Sequence, residues 1–269
     1  MRNRMNDILK QAMRDGRLET VFRKWDLWNE DQARLYARLL AGEETSAVPA
    51  SLTQVDVWAA TLRYLPALLR ASVITLVLSC ASMLLAVAIG VLVASGRVYG
   101  TPPLRALLTG YVELIRGTPL LLQLFVLYFG LAAVVQLPAF VAAMIGLGLN
   151  YASYESEIYR GALEAVPRGQ LDAARTLGFT DRQTLMLVRG PQAFRLALAP
   201  MTNDFVSLLK DSSLVSVITV VELTKQTSIF ATNIGSWLLP GAMCAGLYLL
   251  LSLPLARAAR RIERGLRHA

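Results

Sequence analysis

Residues 71–96 read ASVITLVLSCASMLLAVAIGVLVASG and contain no charged side chain. Two further stretches, 117–154 and 226–256, are equally free of charge. A helix needs roughly 20 apolar residues to cross about 30 Å of hydrocarbon, so the first and last stretches each fit one span. The middle stretch is too long for one span and predicts two, divided near residues 136–138. Three such runs in one chain predict an all-α, multi-pass membrane protein.

The composition agrees with this class, because only 17% of the 269 residues are charged, whereas soluble domains are usually near 25%. We predict about five spans, at residues 71–94, 107–135, 138–159, 198–221 and 237–256. They are joined by a short basic loop at 97–105, a polar segment at 160–195 and a polar connector at 222–233.

Residues 1–60 are a separate polar segment with nine basic and nine acidic side chains. Helical periodicity runs through 5–22, and residues 41–54 have the composition of a linker. No apolar segment follows the first Met, so no signal peptide is expected. The membrane domain is predicted to occupy 61–269.

The chain has a net charge of +8. This excess of basic residues does not require a nucleic-acid partner, because membrane proteins collect Lys and Arg on their cytoplasmic side. Cys80 and Cys244 lie in apolar runs and are expected to be small buried side chains rather than a disulfide or metal pair. The single histidine, His268, leaves no basis for a histidine-based zinc site or a Ser-His-Asp triad.

Arginine placement predicts the orientation. The 97–105 loop, the 160–195 segment and the tail 257–269 together hold 13 arginines. The positive-inside rule places them in the cytoplasm, so with five spans the C-terminus is inside and the N-terminus outside. Arg63 and Arg70, which flank the first span on the other side, are a mild exception.

The polar segment contains a helical pattern at residues 169–178, which read GQLDAARTLG. Gly178 suits a helix C-terminus, and Thr180 to Gln183 have the pattern of a cap and first turn of a second helix. Two short helices on a cytoplasmic loop would form a rigid protrusion that transmits force. A merely solvated loop is the alternative.

This segment resembles the EAA loop of ABC importer permeases, a pattern of Glu-Ala-Ala, three residues, Gly, nine residues, Ile, any residue and Leu-Pro. The matching residues are Asp172-Ala173-Ala174, Gly178, Val188 and Gly190-Pro191. Asp, Val and Gly190 replace Glu, Ile and Leu, while the spacing is intact. The resemblance implies that the loop couples to an ATPase through Gly169, Leu171, Asp172, Ala173, Ala174, Leu177, Gly178 and Pro191.

Further motifs resemble the polar amino-acid branch of that family, which includes histidine, glutamine and arginine permeases. They are YVELIRGTPL at 111–120, YESEIYRG at 154–161, LLKDSSLVS at 208–216 and VELT at 221–224. The resemblance covers about residues 65–265. It implies a bacterial inner-membrane permease dimer, two ATPase subunits and an external solute-binding protein. Its family-motif residues here are Glu113, Arg116, Gly117, Thr118 and Pro119.

Charged residues inside the spans are candidates for a solute path, because charges in a membrane usually face a partner or a water-filled route. Asp204, Ser207 and Asp211 share one helical face. Lys210 beside Asp211 would let such a face match both charges of a zwitterion. The candidate residues are Glu155, Asp204, Ser207, Lys210, Asp211 and Ser212. Ties between helices are the alternative, and Glu113 and Arg116 are expected to pair with each other at i, i+3 spacing.

No Gly-Lys-Ser or Gly-Lys-Thr occurs in the sequence, so the Walker A pattern is missing. The chain is therefore predicted to be a transport subunit and not an enzyme, with ATP and Mg²⁺ bound by a separate ATPase. An ion-gradient-driven transporter or channel is the alternative, but it leaves the 172–191 loop unexplained. A membrane enzyme would need a nucleophile, base or metal cluster, and the sequence offers only isolated carboxylates.

Residues 15–25, DGRLETVFRKW, and 28–30, WNE, resemble the C-terminal helix region of polar amino-acid solute-binding proteins. Some importers fuse binding protein and permease in one chain. The hypothesis is that residues 1 to about 35 are the remnant, or truncated end, of such a domain. An amphipathic surface helix without this homology is the alternative.

Overall fold

A computed structural model describes residues 2–24, 30–41 and 57–267, and these ranges contain helices and no β-strand. The all-α class predicted from sequence is therefore confirmed. The chain divides into two units, 1–56 and 57–269. Most of the predicted linker, together with Trp25, Trp28, Asn29 and His268, lies outside the described residues. The origin of the first unit in a binding domain stays a prediction.

The first unit contains helices α1 (Arg2–Arg14), α2 (Arg17–Lys24) and α3 (Glu30–Leu40). The mixed helical periodicity of residues 5–22 corresponds to two helices, α1 and α2, rather than to one continuous helix. Gly16 has φ +74°, a left-handed conformation that ends α1. The Asp15 side chain then accepts a 3.2 Å hydrogen bond from the N–H of Arg17, which starts α2.

The second unit consists of helices of very different lengths. They are α4 (Val57–Tyr99), α5 (Pro102–Arg116), α6 (Leu120–Phe125), α7 (Ala139–Ala165), α8 (Arg168–Thr176), α9 (Asp181–Gln183), α10 (Gly190–Asp211), α11 (Leu223–Ile234) and α12 (Leu238–Arg267). Short π-helical turns follow α6 (Val126–Gly130) and α9 (Thr184–Arg189), and a 3-10 helix (Ser212–Ile218) follows α10.

Two helical stretches of the described residues, Ala59–Tyr99 and Leu238–Gly265, are long and apolar enough to cross a membrane. The bent pair formed by α5 and the Leu120–Ala133 segment counts as a third. The predicted third and fourth spans correspond to α7 and α10, whose polar and charged residues lower their mean hydropathy. These two helices therefore supply the polar and charged residues of the interior between them, which is called the polar interior below.

Helices α4 and α7 pack closely through small residues. A Cβ at Gly148 would lie 2.7 Å from Leu85 Cδ2, so a larger residue there would push the helices apart. A buried apolar cluster of Leu78, Leu124, Leu147 and Ile218 joins α4, α6 and α7 to the 3-10 helix. Both cysteines are free, but Cys80 is exposed and Cys244 half-buried, so the expectation of two buried thiols is wrong. A small apolar side chain on a membrane helix can face lipid or a partner as well as the protein core. The apolar surroundings in the sequence therefore do not predict burial.

The second predicted span is not one continuous helix. The α5 helix ends at Arg116, and the axis of the Leu120–Ala133 segment is bent by 103° from it. Pro119 has no N–H to continue the helical ladder, and a residue that precedes proline, here Thr118, avoids the helical conformation. The motif 117–119 therefore makes a corner in the membrane domain.

Three other predicted boundaries are wrong. The loop predicted at 97–105 comprises only residues 100–101, because α4 continues to Tyr99 and α5 starts at Pro102. Proline suits the first turn of a helix. The fourth span starts at Gly190 rather than 198, and its last part, from Ser212, is 3-10 helix. The polar connector at 222–233 is helix α11, whose threonines 227 and 232 bond back to carbonyls of their own helix.

Candidate functional site

Helix α8 carries the predicted coupling motif, and it ends in a Schellman motif. Gly178 has φ +86°. Its N–H donates to the carbonyl of Arg175 at 2.9 Å, and the N–H of Phe179 donates to that of Ala174 at 3.1 Å. These two bonds satisfy the last carbonyls of the helix, so Gly178 has the helix-terminating role that was predicted for it.

The second predicted helix begins as expected, with a capping box. Thr180 Oγ1 accepts from the N–H of Gln183 at 3.3 Å, and Gln183 Oε1 accepts from the N–H of Thr180 at 2.9 Å. The helix does not stop as a separate element, however. It runs from Asp181 through the π turn directly into α10, so the loop contains one free-standing helix and the start of the fourth span.

The predicted coupling residues divide into an inner and an outer set. Leu171 packs against the cluster of Ala162, Val166, Ala193 and Ala197, and Ala174 on the same helix is buried. The exposed set comprises Gly169, Asp172, Ala173, Leu177, Gly178 and Pro191. Leu177 is 77% exposed. The inner side chains hold α8 on the membrane helices while its outer surface is available to a partner.

Arg189, which sequence reasoning missed, anchors this segment. Its Nε donates to the Leu163 carbonyl at 2.8 Å, and its Nη1 donates to the Tyr99 hydroxyl at 2.9 Å. These bonds join the π turn to the ends of α7 and α4. The sequence carries no signal for them, because the three residues are far apart along the chain.

The polar interior lies between α7 and α10. Tyr151 donates a 2.7 Å hydrogen bond from its hydroxyl to Asp211 Oδ2, and Asp204 is a further electrostatic neighbour of Tyr151. Glu155, one turn along α7, is fully buried and is an electrostatic neighbour of Asp204. The structure thus brings together three of the predicted path residues, Glu155, Asp204 and Asp211.

The other three path candidates have different surroundings. Ser207 donates back to the Asn203 carbonyl at 3.2 Å, and buried Ser212 donates to the Leu209 carbonyl at 2.8 Å. Lys210 is exposed. In a helix, adjacent residues point about 100° apart, which explains why Lys210 does not share the direction of Asp211.

The expected pair of Glu113 and Arg116 does not form among the described residues. The guanidinium of Arg116 instead lies over the ring of Tyr154 on α7, 5.1 Å from the ring centroid. Glu113 and Arg116 line a cavity of about 480 Å³ together with Arg97, Gly117, Tyr154 and Glu157. The last turn of α5 thus faces α7, and Arg116 contacts a residue of that neighbouring helix rather than one of its own helix.

A second group that sequence reasoning missed is an ionic network at the same end of α7. Glu157 accepts hydrogen bonds from Arg97 on α4 and from Arg160, the latter at 2.7 Å. Arg97 also reaches Thr109 on α5 at 3.3 Å. The network ties together three helices close to the cavity.

Glu222 organises the start of α11. This fully buried residue accepts hydrogen bonds from the N–H groups of Thr224 and Lys225, both at 2.8 Å, and from the Tyr248 hydroxyl at 3.2 Å. The next N–H, of Leu223, donates to Thr75 Oγ1 on α4 at 3.1 Å. The VELT motif is therefore a helix cap that joins α11 to α4 and α12.

Residues 86–268 match the family model described as the binding-protein-dependent transport system inner membrane component. This match covers more than half of the chain and includes the α8 loop, the polar interior and the α11 cap. The chain belongs to this family. It is thus a multi-pass permease component of the inner membrane.

Relatives with similar sequences are also permease proteins of transport systems. The L-cystine transport system permease protein TcyB of Bacillus subtilis is 37% identical over 223 residues, which cover 82% of this chain and 92% of the relative. The probable glutamine ABC transporter permease protein GlnM of the same organism is 35% identical, over 66% of this chain and 83% of the relative.

Solved structures share the fold. A crystal structure of an amino acid ABC transporter with histidines is 32% identical, has a TM-score of 0.73, and is matched over 78% of this chain and 99% of its own. The MetNI methionine ABC transporter in an inward-facing form, at 20% identity and a TM-score of 0.61, is matched over 74% of this chain and 93% of its own and shows the fold alone. The predicted ABC importer permease is confirmed, and it is favoured over an ion-gradient transporter.

Proposed function

We propose that this permease imports an amino acid, and that a separate ATPase, which carries ATP and Mg²⁺, drives it by docking on α8. The observation that carries the proposal is the α8 protrusion, in which Leu171 is half-buried, Ala174 is buried and Leu177 is exposed. Leu177 lies at the exposed end of a short helix that a Schellman motif closes, and it offers an apolar contact to a partner protein. After the turn at 177–180, the chain runs from Asp181 through the π turn into α10 without a break.

The solute path runs along α10 in this proposal, past Asp204 and Asp211. Support comes from the half-buried position of both carboxylates, from the hydrogen bond between Asp211 and Tyr151 of α7, and from the relatives, whose names refer to cystine, glutamine and amino acids. Closure of the ATPases would shift the equilibrium between outward and inward states through α8. The motif 117–119 forms the corner beside this path.

The assembly would comprise two such permease subunits, identical or different, two ATPase subunits and an external solute-binding protein. The 13 arginines of the 97–105, 160–195 and 257–269 regions support a cytoplasmic location for those regions, with the C-terminus inside and the N-terminus outside. Hydrolysis of ATP belongs to the partner, since this sequence lacks a Walker A pattern.

The test uses proteoliposomes that contain the permease, its ATPase and the binding protein, with a panel of radiolabelled amino acids. Wild type should accumulate solute only with ATP. Leu177→Asp should abolish ATP-dependent uptake and weaken ATPase copurification, because a charge replaces an apolar docking side chain. Val21→Asp, also on an exposed apolar residue but in the first unit, is the control and should transport normally.

Two results would contradict the proposal. One is full transport by Leu177→Asp. The other is accumulation on a proton or sodium gradient by the permease alone, without any ATPase.

A further inference from the structure

An apolar cavity of about 300 Å³ lies between α4, α7 and α10, near the end of α4. Its lining is mostly hydrocarbon and includes Val91 of α4, Ala162 of α7, and Ala193 and Phe194 of α10. Val91 and Phe194 are exposed, so the cavity opens onto the surface of the membrane domain. An empty cavity costs its lining dispersion contacts, and an apolar one takes up an apolar group in preference to water.

A second cavity, of about 590 Å³, is polar, and Arg189 connects it to the first. Arg189 lines the polar cavity, whereas Tyr99, Leu163 and Gly190 line the apolar one. Arg189 Nη1 donates to the Tyr99 hydroxyl at 2.9 Å, and Arg189 Nε donates to the Leu163 carbonyl at 2.8 Å. The guanidinium therefore adjoins both cavities.

The polar cavity has positive charge to spare. Its acidic residues, Glu164 and Asp172, each form an ion pair with a neighbouring arginine, at 2.7 and 3.5 Å. Arg168 also lines this cavity and has no hydrogen bond or ion pair within the described part of the chain. Arg189 bonds only to two uncharged oxygens, and a guanidinium has further N–H donors. Two arginines are thus available to an anion.

We propose that the two cavities together bind an anionic phospholipid of the cytoplasmic leaflet. One acyl chain lies in the apolar cavity, and the phosphate lies against Arg189 and Arg168. The inference rests on the orientation proposed above, in which α4 ends at the cytoplasmic face. Basic pockets between membrane helices on that face suit the phosphates of anionic lipids, and each methylene group of the chain gains from burial in the apolar cavity.

The headgroup decides which lipid binds best. Phosphatidylcholine carries a positive group beside its phosphate, so the net charge that faces Arg168 and Arg189 is zero. Phosphatidylglycerol has the same phosphate without a compensating charge. The bound lipid also adds contacts to the ends of α4 and α7 and to the π turn, which Arg189 joins.

Lipid binding to the detergent-solubilised permease–ATPase complex, titrated and counted by native mass spectrometry, tests the inference. The probes are phosphatidylglycerol and phosphatidylcholine with the same oleoyl chains. Wild type should bind the anionic lipid about tenfold more tightly, and Arg168→Gln should reduce this preference about fivefold, the effect of one arginine beside an anionic lipid. Arg189→Gln should act in the same direction. Val91→Phe, which fills part of the apolar cavity, should weaken both lipids equally.

Two variants are matched controls and should bind as wild type does. Arg182→Gln makes the same chemical change on an exposed arginine that lines neither cavity. Val77→Phe enlarges another exposed valine of α4. Equal binding of the two lipids by wild type, an unchanged preference in Arg168→Gln, or unchanged binding by Val91→Phe would overturn the inference.

A second permease copy is the other occupant that the apolar cavity could take. If Phe194→Cys cross-links two permease copies where the unsubstituted chain does not, a partner subunit covers the cavity and the inference is overturned. ATP-driven uptake is measured separately in proteoliposomes. A lipid preference without uptake counts against the proposed function alone, whereas uptake without a lipid preference counts against this inference alone.

Discussion

The side-chain amide of Gln123 donates a 2.8 Å hydrogen bond to the backbone carbonyl of Ile115, eight residues earlier and on the other side of the corner at 117–119. The same nitrogen reaches Thr118 Oγ1 at 2.8 Å, while Gln123 Oε1 accepts from Asn150 of α7 at 3.0 Å. One residue therefore satisfies the backbone opened by the break and fastens the corner to its neighbouring helix.

Replacing Gln123 by Leu should loosen this corner. The change leaves the Ile115 carbonyl and the amide of Asn150 without their partner, which costs about 1 to 3 kcal/mol of unfolding free energy. Thermal unfolding in detergent measures it. Gln136→Leu, at an exposed position, should unfold as wild type does. Equal melting of the Gln123 variant and wild type would show that the corner does not depend on this side chain.

Replacing Gly178 by Val should uncouple transport while the membrane helices stay inserted. The left-handed φ of +86° disfavours a side chain by about 1 to 2 kcal/mol, more for a β-branched one, so the Schellman motif would rearrange and shift the end of α8. ATPase stimulation and uptake in proteoliposomes are the measurements. Gly161→Ala, at an open position on α7, is the control. Normal uptake by the Val variant would rule out a coupling role for this turn.

Gly190, where the family pattern has Leu, is explained by the π turn. A Cβ at Gly190 would lie 2.8 Å from the Leu185 carbonyl oxygen, too close for any side chain. Gly190→Leu should therefore destabilise the segment by about 1 to 3 kcal/mol, the usual cost of overpacking, and lower the melting temperature. Gly246→Leu, on α12 with open space around it, should not. Unchanged stability of the Gly190 variant would mean that the π turn relaxes to an α turn at no cost.

Truncating Glu222 to Ala should unfasten the start of α11. Two backbone N–H groups lose their acceptor, and loss of such a cap costs about 1 to 2 kcal/mol. Hydrogen exchange of the Thr224 and Lys225 amides, followed by mass spectrometry, should rise in the variant. Glu164→Ala, at an exposed residue of α7, provides the comparison. Unchanged protection at Thr224 would contradict the cap assignment.

The sequence predicted the elements that depend on local chemistry. The end of α8 at Gly178 and the capping box at Thr180 were read correctly, because a left-handed glycine and a Thr-x-x-Gln cap involve only neighbouring residues. Hydropathy alone placed the membrane helices, although not their ends. It extended the second span through Pro119, since an apolar run looks continuous even where a proline bends it.

Pairings between helices could not be predicted. Arg116 meets Tyr154 rather than Glu113, and Arg97 meets Glu157, 60 residues later. Neither spacing has a periodic signature. The polar connector at 222–233 was not recognised as a helix, because its threonines look like loop residues until their hydroxyls are seen to bond within α11.

By itself, the sequence determined the class of this protein: an all-α membrane chain with a polar protrusion that matches an ABC permease loop, because charge-free runs and short motifs are local properties. The tertiary structure decided what the interior charges face. Glu155, Asp204 and Asp211 come from two helices and meet only when α7 packs on α10. Such a meeting depends on how two helices pack, and it therefore leaves no periodic signal in the sequence.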